Sequence, residues 1–188
     1  MVRPLPIVLL SVAAIMGGGL VAYKLTRPVT FVLSKPGAAE APKLPVAPKL
    51  AGKPLPDVAL QDFSGAKRSL ADLKGKPAVI NLWSDTCLPC KDEMPEFEQV
   101  HKALGDRVRF VGMTGQLDSV DTARAFATKA GVTYELWRDP ESQLNSSLNI
   151  ASLPATLLVD PLGNIVWSKL GQMTGEQLTA KINEVFPA

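Results

Sequence analysis

Residues 77–97, PAVINLWSDTCLPCKDEMPEF, contain the strongest structural and chemical signals in the chain. The stretch begins with a short apolar run, residues 77–83, which is typical of a fully buried central strand. Helical spacing of apolar side chains follows over residues 88–104. Cys87 and Cys90, the only cysteines among the 188 residues, therefore lie where a strand ends and a helix begins.

The pattern around this stretch alternates between strands and helices. From residue 77 the order is strand, helix, strand, helix, strand and helix, followed by a hairpin and a last helix. This order predicts an α/β fold with a central mixed sheet flanked by helices, parallel at first and closed by an antiparallel pair. Besides the elements above, strands are predicted at 58–60, 108–113, 134–137, 156–160 and 165–169, and helical segments at 69–73, 119–130, 139–148 and 174–185.

The residue counts exclude several classes of protein. Two cysteines cannot form the disulfide framework of a small secreted domain, and with one histidine they do not easily complete a four-ligand zinc site. The net charge of only +2 argues against a dedicated nucleic-acid binder. His101 lies roughly 16 Å beyond Cys90 along the same predicted helix, so a cysteine–histidine hydrolase pair is excluded and His101 is expected at the surface.

The position of the two cysteines favours thiol chemistry. A thiol at a helix N-terminus lies near the positive end of the helix dipole and near unpaired backbone N–H groups, which favour the thiolate and lower the thiol pKa. Cys87 is therefore expected to be the exposed nucleophile, and Cys90, nearly one turn deeper, can close a disulfide with it. Pro89 fits the first helical turn, where its missing N–H costs nothing. The arrangement suits dithiol–disulfide exchange, and half of a zinc site or a purely structural disulfide are the alternatives.

The N-terminal part of the chain differs from the rest in composition. Residues 4–23 carry no charge and, as a helix, span roughly 30 Å, about the thickness of a bilayer core. We therefore expect residues 1–24 to form a membrane anchor, a transmembrane helix, with a cleaved signal peptide as the alternative. Residues 25–50 are rich in Pro, Ala and Lys and predict a linker, either extended in polyproline-like geometry or simply disordered. Residues 51–188 form the predicted folded domain.

Charge is unevenly distributed along the chain. Residues 1–56 contain seven Lys or Arg and one acidic residue, a net charge of +6, whereas the remainder has 13 basic and 17 acidic residues, a net charge of −4. The basic residues that flank the predicted anchor lean weakly towards a cytoplasmic C-terminal side. A long domain crosses the membrane largely regardless of flanking charge, so this count does not decide the topology.

Two motifs resemble one known family. Residues 81–97 look like the active-site stretch of TlpA-like thioredoxin-fold proteins, which are membrane-anchored or exported thiol–disulfide oxidoreductases, and the tetrapeptide LPAT at 153–156 looks like the family's second motif. The resemblance covers about residues 52–186 and implies a thioredoxin-like fold. It also implies that the bond before Pro154 is cis, which X–Pro bonds permit, and that this proline faces the cysteine pair. In the family the residue before it, here Leu153, offers backbone groups to an extended substrate segment.

The resemblance also assigns a proton-transfer group. Cytosolic-type thioredoxins have a buried acid six residues before the first cysteine, where this chain has Asn81, as TlpA-like proteins commonly do. Their substitute acid lies three residues after the second cysteine, which here is Glu93. The i+3 spacing places its carboxylate on the same helical side as Cys90. Glu93 is therefore expected to act as acid and base for Cys90, the alternative being an ordinary glutamate of the first helical turn that complements the helix dipole.

One position departs from the family pattern. Thr86 stands where the family usually has tryptophan, which leaves Cys87 less covered and can change the choice of partner. Trp83 is retained and is expected to pack beneath the site, with plain core packing as the alternative. The residues expected to bind substrate are Trp83, Leu88, Pro89, Leu153 and Pro154, beside the catalytic Cys87, Cys90 and Glu93.

These observations together predict a membrane-anchored thiol–disulfide oxidoreductase whose domain faces the periplasm or the cell exterior. By resemblance, its partners are exported proteins with cysteine pairs or disulfides, and a membrane electron donor re-reduces it. Reduction of apocytochrome c or of copper-centre cysteines is the favoured role, with oxidant or isomerase as sub-alternatives. No cofactor, metal or nucleic acid is expected. The alternative from a different class is a copper chaperone or assembly factor that uses the two thiols as soft ligands without redox turnover.

Overall fold

A computed structural model describes residues 49–187 of the chain. The predicted anchor, residues 1–24, and all but the last two residues of the predicted linker, 25–50, lie outside the described residues. Within residues 49–187, every helix is too short or too polar to span a bilayer.

The described residues form one sheet and a set of flanking helices, in the alternating order that the sequence predicts. A short 3-10 helix, Leu70–Leu73, precedes the central strand. The strands and α-helices in chain order are β1 (Leu60–Asp62), β2 (Lys67–Arg68), β3 (Ala78–Trp83), α1 (Leu88–Leu104), β4 (Arg109–Thr114), α2 (Val120–Lys129), β5 (Glu135–Arg138), α3 (Gln143–Leu148), β6 (Ala155–Val159), β7 (Ile165–Leu170) and α4 (Gly175–Val185).

The sheet is mixed, with the strand order β2-β1-β5-β4-β3-β6-β7. β3 and β4 pair in parallel, as do β4 and β5, while β3 pairs antiparallel with β6 and β6 with β7. The predicted thioredoxin-like α/β fold with a central mixed sheet is therefore confirmed. β1 begins at Leu60, two residues later than predicted, because a turn at 62–66 pairs residues 60–61 with β2. The sequence pattern did not indicate the two-residue strand β2.

Two helical layers cover the sheet, and β3 supplies the core of both. Its six residues are all buried, and its side chains alternate between the faces as the pleat requires. Ile80 and Leu82 pack with α3 and the 3-10 helix on one face. Val79 packs with α1 and α4 on the other face, and Trp83 with α1 and α2. Because α1 follows β3 directly, this fully buried strand fixes the position of the cysteine pair.

The expected surface position of His101 is wrong. The residue is half-buried in the last turns of α1. Its ring lies against Phe110, with the centroids 5.3 Å apart, and edge-on to Tyr134 at 5.8 Å. His101 follows the buried Phe97 by four residues and therefore shares its inward side of the helix, which the helical spacing already indicated.

Candidate active site

Cys87 and Cys90 occupy the first turn of α1, directly behind the carboxyl end of β3. The structure holds them as a disulfide with a Cα–Cα distance of 5.3 Å. Cys87 is half-buried, whereas Cys90 is completely buried beneath it. The two sulfurs therefore differ in access, and an approaching partner meets Cys87 first.

The local sequence explains why the helix begins at this point. Cys87 is the N-cap residue, in an extended backbone conformation, and its Sγ accepts a hydrogen bond from the backbone N–H of Cys90 at 3.3 Å. Pro89 lies in the first turn, where the absence of an N–H leaves no hydrogen bond unmade. No acidic residue occupies this first turn. The positive end of the helix dipole therefore acts on the Cys87 sulfur without a neighbouring carboxylate in that turn to oppose it.

Glu93 is a fully buried carboxyl on the same helix, and the alternative of a first-turn glutamate at the helix end is therefore wrong. Its Oε2 accepts a hydrogen bond from Asn81 Nδ2 at 3.1 Å, and its Oε1 accepts one from the backbone N–H of Met173 at 2.9 Å. Burial raises the pKa of Glu93 to about 7, although both hydrogen bonds and the charge of Lys169 pull it down. A carboxyl with this pKa can both accept and donate a proton near neutral pH.

Trp83 is fully buried at the end of β3. Its ring stacks on Phe126 with a centroid distance of 5.5 Å and belongs to the same cluster as Cys90. It also lies over Gly112, where an added Cβ would come within 3.0 Å of the Trp83 Nε1. A partner docked on the surface does not reach this ring. The burial of Trp83 agrees with its expected packing beneath the site, whereas a direct contact with substrate, also expected, is not open to a ring without exposed surface.

The other residues expected to bind substrate lie at or just below the surface. The Leu153–Pro154 peptide bond is cis, as expected. Leu153 is half-buried, lines the same cleft as Cys87 and contacts the cluster that contains Cys90, whereas Pro154 is buried behind it. Leu88 and Pro89 are exposed, Leu88 to 78 %. The structure thus brings Leu153 to the cysteines and leaves Leu88 projecting beside them.

A cleft of about 380 Å³ opens next to Cys87. Its walls come from the residues before Cys87, from the loop between β4 and α2, from α3, and from the segment that ends at Leu153. Thr86, at the position that is usually tryptophan in the resembling family, lines this cleft and is exposed. Leu117 in the β4–α2 loop is 96 % exposed on the same cleft. The cleft offers room for a partner's backbone beside the reactive sulfur.

The sequence analysis missed a polar cluster next to the cysteine pair, formed by Ser84, Asp85, Thr114 and Asp118 and called here the Asp118 cluster. Asp118 Oδ1 accepts hydrogen bonds from Ser84 Oγ at 2.8 Å and from the backbone N–H of Asp85 at 3.1 Å, and Oδ2 accepts from Thr114 Oγ1. The chain carried only part of the signal: parallel pairing of β3 and β4 brings their carboxyl ends to one edge of the sheet, but only the structure shows which polar side chains meet there.

The two carboxyls of this cluster have opposite pKa shifts. Burial raises the pKa of Asp118, but the hydrogen bonds donated by Asp85, Thr114 and Ser84 outweigh burial and bring it below its ordinary value. The pKa of Asp85 is raised, mainly because its carboxyl hydrogen-bonds to that of Asp118. Asp118 is therefore the ionised member of the pair, and Asp85 holds its proton to higher pH.

Metal ligands are scarce around the thiols. Within residues 49–187, no group of three or more His, Cys, Asp or Glu side chains is arranged to hold a metal ion. Met94, the nearest soft side chain in the sequence, is buried in the core cluster with Cys90. A metal bound at this site would therefore have two thiolates from the described part of the chain as its ligands.

Comparisons with known proteins agree with this geometry. The AhpC/TSA family model matches residues 51–168. Thioredoxin-like protein YneN of Bacillus subtilis is 34 % identical over 134 residues, 70 % of this chain and 78 % of YneN. The thiol–disulfide oxidoreductase ResA of Geobacillus kaustophilus is 30 % identical over 139 residues, 72 % of this chain and 78 % of ResA.

A solved structure shares the architecture as well. The secreted Mycobacterium tuberculosis disulfide oxidoreductase homologous to Escherichia coli DsbE superposes with a TM-score of 0.61 at 25 % identity, over 67 % of this chain and 94 % of that one. ResA and the M. tuberculosis protein are disulfide oxidoreductases, and thiol–disulfide exchange is the chemistry that a cysteine pair at a helix N-terminus favours. The chain thus belongs to the AhpC/TSA family and is a thioredoxin-fold thiol–disulfide oxidoreductase of the TlpA-like, ResA/DsbE type.

Proposed function

We propose that this protein is a membrane-anchored reductant that acts outside the cytoplasmic membrane on exported proteins through Cys87 and Cys90. The observation that carries the proposal is the contrast in exposure within the pair, Cys87 half-buried at the helix N-cap and Cys90 fully buried one turn below. Such an arrangement admits a partner sulfur to one thiol and keeps the second for an internal step.

The chemistry follows from this difference in access. The Cys87 thiolate attacks one sulfur of a partner disulfide, so that a mixed disulfide forms and the partner's other sulfur leaves as a thiolate. The Cys90 thiolate then attacks Cys87 Sγ, which closes the internal disulfide and releases the second partner thiolate. The partner gains two electrons, and the pair in this protein loses two.

Glu93 is the group proposed to accept the proton of the Cys90 thiol and to return it when the pair is reduced again. Its burial three residues after Cys90 and its pKa of about 7 support this role. Asn81 supports it further, because its Oδ1 is buried without a hydrogen-bond partner among the described residues. A reversed Asn81 amide would accept a hydrogen bond from protonated Glu93, so the pair suits both protonation states.

Leu88, Pro89, Leu153 and Pro154 are proposed to form the surface on which the partner segment lies. Leu88 and Leu153 flank Cys87, and the exposed Leu88 offers apolar area to a bound chain. Leu153 borders the cleft, where its backbone groups can pair with an extended segment. Pro154 is buried, so its part is to shape the segment that carries Leu153.

The location and the partners follow from the N-terminal sequence and from the relatives. The uncharged stretch 4–23 supports a transmembrane anchor, and the linker 25–50 supports a tethered domain, residues 51–188. Similarity to a secreted M. tuberculosis oxidoreductase supports export. In an oxidising compartment a reductant needs a supply of electrons, for which we propose a membrane donor. Apocytochrome c and copper-centre cysteines are the proposed targets.

Trapping of the mixed disulfide tests the exchange chemistry. In a Cys90→Ser variant the resolving thiol is absent, so partners of Cys87 should accumulate as adducts that dithiothreitol releases. The matched control is the Cys87→Ser, Cys90→Ser double variant, which should trap nothing. Exported extracts analysed by non-reducing electrophoresis and mass spectrometry identify the partners. Equal adduct yields from the variant and the control would overturn the proposed role of Cys87.

A copper chaperone without redox turnover is the alternative function. Two thiolates suit Cu(I), but the described residues add no further exposed soft ligand because Met94 is buried. The same trapping experiment separates the two functions, since a chaperone forms no dithiothreitol-sensitive adduct with its target.

A further inference from the structure

The three residues before Cys87 are fixed by side-chain hydrogen bonds. Ser84 Oγ lies 3.0 Å from Thr86 Oγ1 and accepts a hydrogen bond from the Thr86 backbone N–H at 3.3 Å. The same Ser84 hydroxyl donates to Asp118 Oδ1 at 2.8 Å, and the Asp85 backbone N–H donates to that oxygen at 3.1 Å. One carboxylate oxygen in the β4–α2 loop therefore organises the segment between β3 and α1.

This segment is connected directly to the reactive cysteine. The Cys87 backbone N–H donates to the Ser84 carbonyl oxygen at 3.1 Å, which closes a four-residue turn, residues 84–87. Asp118 thus reaches Cys87 through two consecutive hydrogen bonds, both of which pass through Ser84. The turn decides where Cys87 lies as the N-cap residue of α1.

Burial and further hydrogen bonds fix Asp118 within the β4–α2 loop. It is 3 % exposed, Thr114 Oγ1 donates to its second carboxylate oxygen, and Arg138 Nη2 donates to its backbone carbonyl at 3.0 Å. It is not needed as a helix cap, since Ser119 caps α2 by accepting a hydrogen bond from the Thr122 N–H at 3.1 Å. Burial of an ionised carboxylate costs free energy unless hydrogen bonds compensate it. Asp118 does not cap α2, and its hydrogen bonds to the turn before Cys87 indicate a role at that turn.

We propose that Asp118 is a positioning residue for thiol–disulfide exchange: through Ser84 it holds the 84–87 turn and so keeps the Cys87 thiol at the N-terminus of α1. The inference deepens the proposed function and rests on Cys87 being the attacking thiol. Without the hydrogen bonds that Ser84 and Asp85 donate to Asp118, the turn loosens, and Cys87 Sγ spends less time near the backbone N–H groups that stabilise its thiolate.

Alkylation of Cys87 by iodoacetamide tests this role without a protein partner. The Cys87 thiolate displaces iodide, so that a sulfur–carbon bond forms and the carbon–iodine bond breaks, and a Cys90→Ser background leaves Cys87 as the sole thiol. At pH 7, Ser84→Ala and Asp118→Ala should each slow this reaction roughly fivefold, since each removes the hydrogen bond to a charged group that fixes the turn. Because both variants remove the Ser84–Asp118 hydrogen bond, the double variant should be slowed by much less than the product of the two single effects.

Two further variants separate positioning from charge. Asp118→Asn keeps an oxygen that can accept from Ser84 and from the Asp85 N–H, so its alkylation rate should be no slower than that of the parent. Asp121→Asn makes the same charge change on an exposed side chain three residues later and should leave the rate unchanged. If Asp118→Ala does not fold, Ser84→Ala carries the test, because its Asp118 carboxylate keeps the bonds to Thr114 and the Asp85 N–H.

The outcomes distinguish the two proposals. Parent-like rates in both alanine variants, or a double variant slowed by the product of the two single effects, would overturn the positioning role of Asp118. Failure of the proposed function has a different signature: the parent itself would show an unactivated Cys87, alkylated no faster at pH 7 than an ordinary exposed cysteine with a pKa of about 8.5.

Discussion

Two buried carboxyls, Glu93 on α1 and Asp118 in the β4–α2 loop, lie near the cysteine pair, and their environments shift their pKa values in opposite directions. Glu93 lies three residues after Cys90 on α1 and accepts two hydrogen bonds, from Asn81 and Met173. Asp118 lies beside the turn before Cys87 and accepts hydrogen bonds from two hydroxyls and a backbone N–H. Burial dominates at Glu93 and raises its pKa, whereas the donors dominate at Asp118 and lower it.

The comparison shows that burial alone does not determine what a carboxyl can do. Glu93 changes its protonation state near neutral pH, which suits a group that exchanges a proton with a buried thiol. Asp118 stays ionised over the same range, which suits a fixed hydrogen-bond acceptor that holds a loop. The roles proposed for the two regions differ accordingly: Glu93 exchanges a proton with the buried cysteine, and Asp118 fixes the position of the more accessible one.

The largest expected effect is on the pH dependence of stability. A Glu93 pKa of about 7 in the folded state against 4.5 in the unfolded state means that the folded state binds the proton more tightly between these values. The contribution of Glu93 to the free energy of unfolding is therefore fully present below pH 4.5 and falls by about 3 kcal/mol as pH rises to 7. Relative to the wild type, the oxidised Glu93→Gln variant should gain stability over this interval, measured by urea unfolding at each pH.

Asp118 is the control for this prediction, because its pKa is shifted in the opposite direction from that of Glu93. Its lowered pKa means that its contribution is present above the ordinary pKa of an aspartate and is lost as pH falls below it. The stability difference between Asp118→Asn and the wild type should therefore change only in acid and should favour the variant as pH falls. A Glu93→Gln difference that stays constant from pH 4.5 to 7 would contradict the raised pKa of Glu93.

The second effect concerns the rate of exchange. Because glutamine cannot accept the proton of the Cys90 thiol, Glu93→Gln should slow resolution of the mixed disulfide about 100-fold at pH 7, the middle of the range for a lost general base. Formation of the mixed disulfide at Cys87 should be nearly unchanged. Stopped-flow measurements with a disulfide peptide separate the two steps, and Glu141→Gln, the same change at an exposed glutamate before α3, is the matched control. Equal slowing of both steps would place the effect on Cys87 instead.

The comparison of Glu93 with Asp118 also shows which features of the site can be predicted from the sequence. The strand-to-helix position of the cysteines could be predicted from the apolar pattern, and the side of the helix that carries Glu93 from its spacing to Cys90. The role of Glu93 is implied by the family resemblance and stays a prediction. The cis bond before Pro154 was likewise expected, from the LPAT motif. The boundaries of α1, Leu88–Leu104, match the prediction since the apolar spacing is regular and Cys87 and Gly105 bound the helix.

Asp118 could not be found in this way. Its partners lie up to 34 residues away, and its contact with Ser84 arises only when β3 and β4 pair in parallel and bring their carboxyl ends together. The expected contact of Trp83 with substrate was wrong for a related reason, although its packing beneath the site was expected. A motif shows that a residue is near a site, but the depth of its ring depends on how Phe126 and Gly112 pack around it.

The smallest expected effect tests how far the Asp118 cluster extends along the 84–87 turn. Thr86 contributes one hydroxyl contact, to Ser84 Oγ at 3.0 Å, and its side chain is exposed. Thr86→Ala should therefore lower the free energy of unfolding by about 0.5 kcal/mol, the low end for a solvent-accessible hydrogen bond. It should slow Cys87 alkylation less than twofold, because the Ser84–Asp118 bond remains. A loss as large as that of Ser84→Ala would mean that Thr86, and not Asp118, is the anchor of the turn.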